Sequence, residues 1–184
     1  MNLTLTLKAF WKSAPSCESL MVRFAQSGDN DLLSQLYDAC GDDLYHFILT
    51  QSDATLAKDI CQKTWLKVIE KKHLYQRTGS FKGWLYAIAR NQLIDEMRRP
   101  QPVDCQHEDI CTPSPEHLPS GIEERFELAL LRLPFEQREA FCLQQEGFGL
   151  KEISQITHCG IETVKSRLRY AKSTLRAALE NYHE

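Results

Sequence analysis

No apolar run in this 184-residue chain comes near the roughly 18 residues that a membrane span requires. The opening MNLTLTLKAFWKSAP has no cationic stretch followed by an apolar core, so neither membrane insertion nor secretion is expected. Period-2 alternation of β-branched residues is missing beyond the first seven positions, which leaves little room for strands. Signatures of the GxSxG, HExxH and phosphate-loop kinds are missing as well, and the carboxylates fall on helix faces expected to be solvated. Neither a catalytic role nor a cofactor is expected. The seven cysteines (17, 40, 61, 105, 111, 142 and 159) are odd in number and include no CxxC pair. That usage fits reduced thiols in a cytoplasmic protein better than a disulfide framework.

Proline is scarce except in one place. Five of the seven prolines fall in PQPVDCQHEDICTPSPEHLPSG, residues 100–121, where apolar periodicity is also lost. That composition resists helix and strand alike and reads as a flexible linker. It divides the chain into a leader (1–17), a first helical block (18–99), the linker (100–121) and a second helical block (122–184). The expected fold is all-α: an N-terminal helical bundle and a C-terminal helix-turn-helix domain. Cys105, His107, Cys111 and His117 in the linker are metal-ligand types. Their loose, proline-rich spacing favours solvated side chains over a metal or thiol switch, and no metal is expected.

The net charge of −3 conceals a strong pattern. Residues 101–127 carry one basic and seven acidic side chains, whereas the flanking blocks are slightly positive. Lys71 to Arg99 holds seven basic and two acidic residues, and Lys165 to Arg176 holds five basic and no acidic ones. Local basic stripes of this kind are the electrostatic footprint of a nucleic-acid partner.

The first block reads as four helices. They start near Cys17, near Asp29 or Asn30, after Ser52-Asp53 and near Ser80; Ser27-Gly28 and Arg99-Pro100 act as stops. Leu56, Ile60, Thr64, Trp65, Val68 and Ile69 form the expected buried stripe of the third helix. Trp84, Leu85, Ile88, Leu93, Ile94 and Met97 form that of the fourth. The second block reads as short helices in series, over about Ile122–Arg132, Glu136–Gln145, Leu150–Thr157 and Ile161–Leu179, with a tight break at His158-Cys159-Gly160.

Two constellations point to DNA. The pair LKEISQIT and IETVKSRLRYAKSTLRAAL, with its three-residue break, follows the helix-turn-helix plan. Val164, Leu168, Ala171, Leu175 and Ala178 make the packed face of its last helix. Lys165, Ser166, Arg169, Lys172 and Arg176 project elsewhere, where guanine edges and phosphates of a major groove lie within reach. In SFKGWLYAIARNQLIDEMRR and the residues before it, Tyr75, Phe81, Trp84 and Tyr86 interleave with Lys71, Lys72, Arg77, Lys82 and Arg90. Cations along a backbone with aromatic faces for unstacked bases suit single-stranded DNA. Phe81 and Trp84 fit core positions better, and Tyr75 is the better stacking candidate. Asn91 is either a base-edge reader or a solvated amide.

In order and wording these segments resemble an extracytoplasmic-function sigma factor, the minimal two-domain branch of the sigma-70 family of bacterial RNA polymerase. LMVRFAQSGDNDLLSQLYDACGDDLYHFI is similar to the family's first helices, AKDICQKTWLKVIEK to its polymerase-binding helix, and SFKGWLYAIARNQLIDEMRR to its promoter-melting helix. LPFEQREAFCLQQEGFGLKEISQI and TVKSRLRYAKSTLR are similar to its −35-reading domain. The resemblance implies a factor that directs core polymerase, through its largest and second-largest subunits, to promoter DNA. An anti-sigma factor would be a further partner. It implies polymerase contacts by Asp59, Gln62, Lys63 and Lys67. It implies −10 contacts by Asn91 and Tyr75, to which the interleaved cations add Arg77, Lys82 and Arg90, and −35 contacts by Lys165, Ser166, Arg167 and Arg169, to which the projecting basic face adds Lys172. Three positions depart from the family pattern: His158 where a turn glycine is usual, Glu162 where another glycine is usual, and Lys63 where an acid is common. The other reading of the sequence is a two-domain helix-turn-helix regulator that acts without polymerase.

Overall fold

The computed structural model describes residues 15–76, 79–99 and 121–180. Among these residues there are eight α-helices and no strand. The first four are α1 (Cys17–Ser27), α2 (Asn30–Leu49), α3 (Ala54–Lys71) and α4 (Phe81–Met97), with a 3-10 turn at Lys72–Leu74. The second four are α5 (Ile122–Leu131), α6 (Phe135–Gln145), α7 (Leu150–Thr157) and α8 (Ile161–Glu180). No helix among the described residues is long and apolar enough to cross a membrane. Cys105, His107, Cys111, His117 and Arg77 lie outside the described residues, as does all of the expected linker except Gly121.

Local chemistry sets the helix ends. The Asp29, Asp53 and Ser80 side chains each accept a backbone N–H of the first turn, which satisfies donors that the helix leaves open. Gly28 closes α1 at φ 70°, a left-handed conformation that glycine adopts freely. Leu20, Met21 and Phe24 of α1, Leu36, Leu44 and Ile48 of α2, Ile60 and Val68 of α3, and Leu85, Ala89 and Leu93 of α4 fill one core. Of the stripes expected for α3 and α4, Ile60, Thr64, Trp65, Val68, Leu85 and Leu93 are buried, and Leu56, Trp84, Ile88 and Ile94 are half-buried. Ile69 and Met97 lie on the outer side of their helices and are exposed.

In the second block α8 lies across α5, α6 and α7. Val164, Leu168, Ala171 and Leu175 form its buried face, as their spacing predicts. Ser154 Oγ donates to the Cys159 carbonyl at 2.5 Å and braces the turn between α7 and α8. His158 ends α7 at φ 53°, ψ 40°, the sole non-glycine residue with positive φ among those described.

The two blocks also pack on each other. α7 rests on α4, and one continuous apolar core takes in Tyr86 and Leu85 from the first block and Leu143, Phe148 and Ile153 from the second.

Left-handed backbone costs a residue with a Cβ about 1 kcal/mol or more. His158→Gly is therefore expected to raise unfolding stability by about 1 kcal/mol, read as a higher urea midpoint with unchanged slope. A lower midpoint would mean that the imidazole makes a contact worth more than the strain.

Candidate nucleic-acid interface

Asp59, Gln62, Lys63 and Lys67 share the outer face of α3. Lys63 Nζ lies 2.5 Å from Asp59 Oδ2 and 3.6 Å from Glu96 Oε2, so the ammonium ties α3 to the end of α4. The hydrogen bond to Asp59 holds the Lys63 ammonium above its ordinary pKa. Lys67 pairs with Glu70 at 2.8 Å. A residue that the sequence reading passed over stands among them. Leu66 is 59% exposed. Positions 59, 62, 63 and 66 follow the i, i+3, i+4, i+7 rule of a single helix face, so the spacing alone could have singled it out. With exposed Ile69 it makes an apolar centre ringed by charge, the usual make-up of a protein-binding patch.

Helix α4 presents three faces. Leu85, Ala89 and Leu93 point into the bundle. Gln92 Nε2 donates to Thr64 Oγ1 at 2.9 Å and fixes the rotation of α4 on α3. That rotation turns Asn91 outward, where it is exposed. Tyr75, just before the helix, is half-buried and packs edge-on against Phe81 and Trp84 with ring centroids 6.1 and 5.4 Å apart.

The third face is not the free cationic strip that the sequence implied. Arg90 Nε donates to Glu139 Oε1 at 2.7 Å and its Nη2 to Oε2 at 3.4 Å. Lys82 Nζ lies 2.9 Å from Glu146 Oε2 and 3.0 Å from Asp43 Oδ2. Tyr86, expected among the strand-stacking aromatics, is fully buried; its hydroxyl donates to Glu146 Oε2 at 2.8 Å. Burial pushes the Glu139 carboxyl above its ordinary pKa, against the pull of the Arg90 and Arg167 guanidiniums. Burial also works against the Lys82 ammonium, but its bonds to Glu146 and Asp43 outweigh that and raise its pKa. Asn91 lies about 180° from Lys82 and about 100° from Arg90 around the helix, so it stays clear of this contact.

On α8, Arg169 and Lys172 are exposed, and the Arg169 guanidinium sits 5.1 Å from the Tyr170 ring centroid. Lys165 is exposed but bonded to Glu162 at 2.7 Å. Ser166 and Arg167 are half-buried, with Arg167 Nη1 3.5 Å from Cys159 Sγ. Helix α8 therefore offers a basic outer edge from Lys165 through Arg169 to Lys172. No group of three or more metal-ligating side chains gathers among the described residues.

A family profile of Sigma-70 region 2 matches residues 36–102, and one of Sigma-70, region 4 matches residues 123–175. The RNA polymerase sigma factor CarQ of Myxococcus xanthus is 32% identical over 123 residues, covering 64% of this chain and 70% of its own. The chain belongs to the extracytoplasmic-function branch of the sigma-70 family. The extracytoplasmic-function sigma factor SigC of Mycobacterium tuberculosis is 28% identical over 165 residues, 85% of this sigma factor and 88% of its own length. Among solved structures, RpoE of Bartonella quintana in complex with the anti-sigma factor NepR aligns with TM-score 0.63 at 25% identity, covering 80% of this chain and 96% of that one. CnrH, in complex with the cytosolic domain of CnrY, shares the fold with TM-score 0.67 at 19% identity, covering 90% and 99%.

Asn91 and Leu66 both face solvent in this sigma factor. Asn91→Ala and Leu66→Ala are each expected to shift unfolding free energy by no more than about 0.5 kcal/mol. A larger loss in a urea titration would show that either side chain serves the fold.

Proposed function

We propose that this sigma factor directs core RNA polymerase to promoters by two reading events and one docking event. Residues 18–99 form the polymerase and −10 module. Residues 122–184 form the −35 module, and the acidic segment 100–121 tethers them. The observation that carries the reading is the coexistence, in one chain, of an exposed basic edge on α8 and a separate exposed Asn91, two helical turns beyond Trp84 of the Tyr75–Phe81–Trp84 aromatic cluster. A regulator that binds only duplex uses the first and has no need of the second.

Docking falls to Asp59, Gln62, Lys63 and Lys67 around Leu66, against the largest subunit of polymerase, with the second-largest subunit as further contact. The −35 duplex is read by Lys165, Ser166, Arg167, Arg169 and Lys172. Arg169 and Lys172 stand where base edges and phosphates of a major groove come within reach. Glu162 holds Lys165 by an ion pair, so the weight of binding shifts toward Arg169. The −10 strand is captured at Asn91, with Tyr75 and Arg77 before the helix; Lys82 and Arg90, on another face of α4, are the remaining cations of the set. Flipping a base out of the stack costs a few kcal/mol, which a shaped pocket and stacking recover without a nucleotide fuel. The protein catalyses no covalent step itself, needs no cofactor and works in the cytoplasm, where its polymerase is. An anti-sigma factor is its expected regulator; RpoE is seen bound to the anti-sigma factor NepR.

Each contact is weak alone, and polymerase raises the effective concentration of the second once the first is made. Run-off transcription with purified core polymerase tests the scheme. Leu66→Ala is expected to weaken core binding by about 1–2 kcal/mol, as loss of a central apolar anchor does. Asn91→Ala is expected to slow open-complex formation with core affinity unchanged. Arg169→Ala should cost about 1–3 kcal/mol of preference for an intact over a scrambled −35 element. Tight, specific binding to duplex promoter DNA without polymerase, together with no run-off product, would favour the stand-alone regulator instead.

A further inference from the structure

Two cysteines far apart in sequence meet in the first block. Among the described residues, Cys61, Cys142 and Cys159 touch no second thiol; Cys142 meets the Thr50 hydroxyl at 3.4 Å and Cys159 the Thr157 hydroxyl at 3.1 Å. Cys17 and Cys40 differ. They lie 23 residues apart, on α1 and α2, yet their Sγ atoms are 3.8 Å from each other. A bonded pair needs about 2.05 Å, which a change of side-chain rotamer and a small helix shift can supply. Cys17 opens α1 and is half-buried, whereas Cys40 keeps 3% of its surface exposed within α2. Packing asks for a small apolar side chain at position 40. It does not ask for a second thiol at position 17, half open to water. Burial, with Cys17 beside it, pushes the Cys40 pKa up to about 12. A thiol held so high offers little thiolate to a dissolved oxidant and reacts with an electrophile set against it. Glu18, next to Cys17, accepts the Phe81 backbone N–H at 3.1 Å, so the first turn of α1 also holds the start of α4.

We propose that Cys17 and Cys40 are a reversible oxidation site: a peroxide oxidises Cys17, Cys40 resolves it, and the resulting disulfide staples α1 to α2. In the first step Cys17 sulfur gives two electrons to the peroxide, whose O–O bond breaks. One oxygen stays on sulfur as a sulfenic acid, and the other leaves with the thiol proton as water. Cys40 Sγ then attacks Cys17 Sγ. The S–S bond forms, the S–O bond breaks, and the hydroxyl leaves with the Cys40 proton as a second water. Under reducing conditions the pair rests as two thiols, and the disulfide forms only under oxidative load. Closing the loop between them restricts the unfolded chain and keeps α1, with Glu18, from fraying off the bundle. Neither DNA nor polymerase is needed.

The full-length protein, reduced and then treated with hydrogen peroxide, is blocked with N-ethylmaleimide and cleaved after Arg23, which separates the two cysteines. Peptide mass spectrometry is expected to find Cys17 joined to Cys40 as the first disulfide among the seven cysteines, and dithiothreitol to restore both thiols. In Cys40→Ala, dimedone should trap a sulfenic acid on Cys17. In Cys17→Ser, the rate at which peroxide consumes the Cys40 thiol should fall at least about tenfold. The oxidised protein should melt about 5 °C above the reduced one, and Cys17→Ser should show no such rise. Cys17 is half-buried at a helix end, so Cys17→Ser remains folded and the comparison stands even if Cys40→Ala does not fold. A different first pair overturns the site, and so does loss of the Cys40 thiol in Cys17→Ser at the wild-type rate. A disulfide that forms but leaves the melting temperature unchanged or lower overturns the staple.

Discussion

Everything in this molecule turns on how α4 is rotated. One face of that helix must fill the bundle, and Leu85, Ala89 and Leu93 do so without exposure. The Gln92–Thr64 bond and the Glu96–Lys63 pair then pin the helix against α3. With that rotation fixed, geometry leaves two further faces. Lys82, Tyr86 and Arg90 meet the second block, and Asn91 meets solvent. A slip of one residue, about 100°, would bury the amide or strand the core. The same few bonds thus decide both which side chains α4 exposes and which the second block covers.

Much of this was legible in the sequence because it is local. Asp29, Asp53 and Ser80 announce helix starts through their own side-chain chemistry, and Gly28 announces a stop, so the observed ends lie within a residue or two of those expected. The buried stripe of α8 follows from its spacing alone. The joint between the blocks was not legible. Arg90 and Glu139 are 49 residues apart, and Lys82 and Glu146 are 64 apart. Nothing in a single sequence says that two such charges meet rather than face water. Tyr86 misled for a related reason. An aromatic among lysines and arginines fits a strand-binding surface and an interface between helical blocks equally well, and only the packing of Phe148 decides between them. Ile69 and Met97 misled in the other direction, since helical spacing places them beside the core stripe although the helices turn them out.

The departures from the family pattern have local physical consequences. His158 adopts the left-handed turn where glycine is usual, so the turn keeps its shape at a cost in backbone energy. Ser154 and Cys159 hold that shape through the hydroxyl-to-carbonyl bond. Glu162 sits in the first turn of α8, where a negative charge suits the helix dipole, and it engages Lys165. The positive field of α8 is thereby displaced toward its middle, where Arg169 and Lys172 stand exposed. Lys63, where an acid is common, keeps Asp59 and Glu96 as neighbours, so the outer face of α3 stays mixed in charge around Leu66.

The ion pairs of the joint between the blocks are not what makes it strong. Moving a carboxylate and a guanidinium out of water costs about as much as their attraction returns, so the Arg90–Glu139 pair adds little to the closed state relative to two hydrated charges. The half-exposed Lys82 pairs are worth less still. What holds the blocks together is the apolar burial of Tyr86 and Phe148, while the ion pairs choose the register in which that burial occurs. Such a joint is specific without being strong. Removing one charged partner penalises closure heavily, yet separating both together costs little.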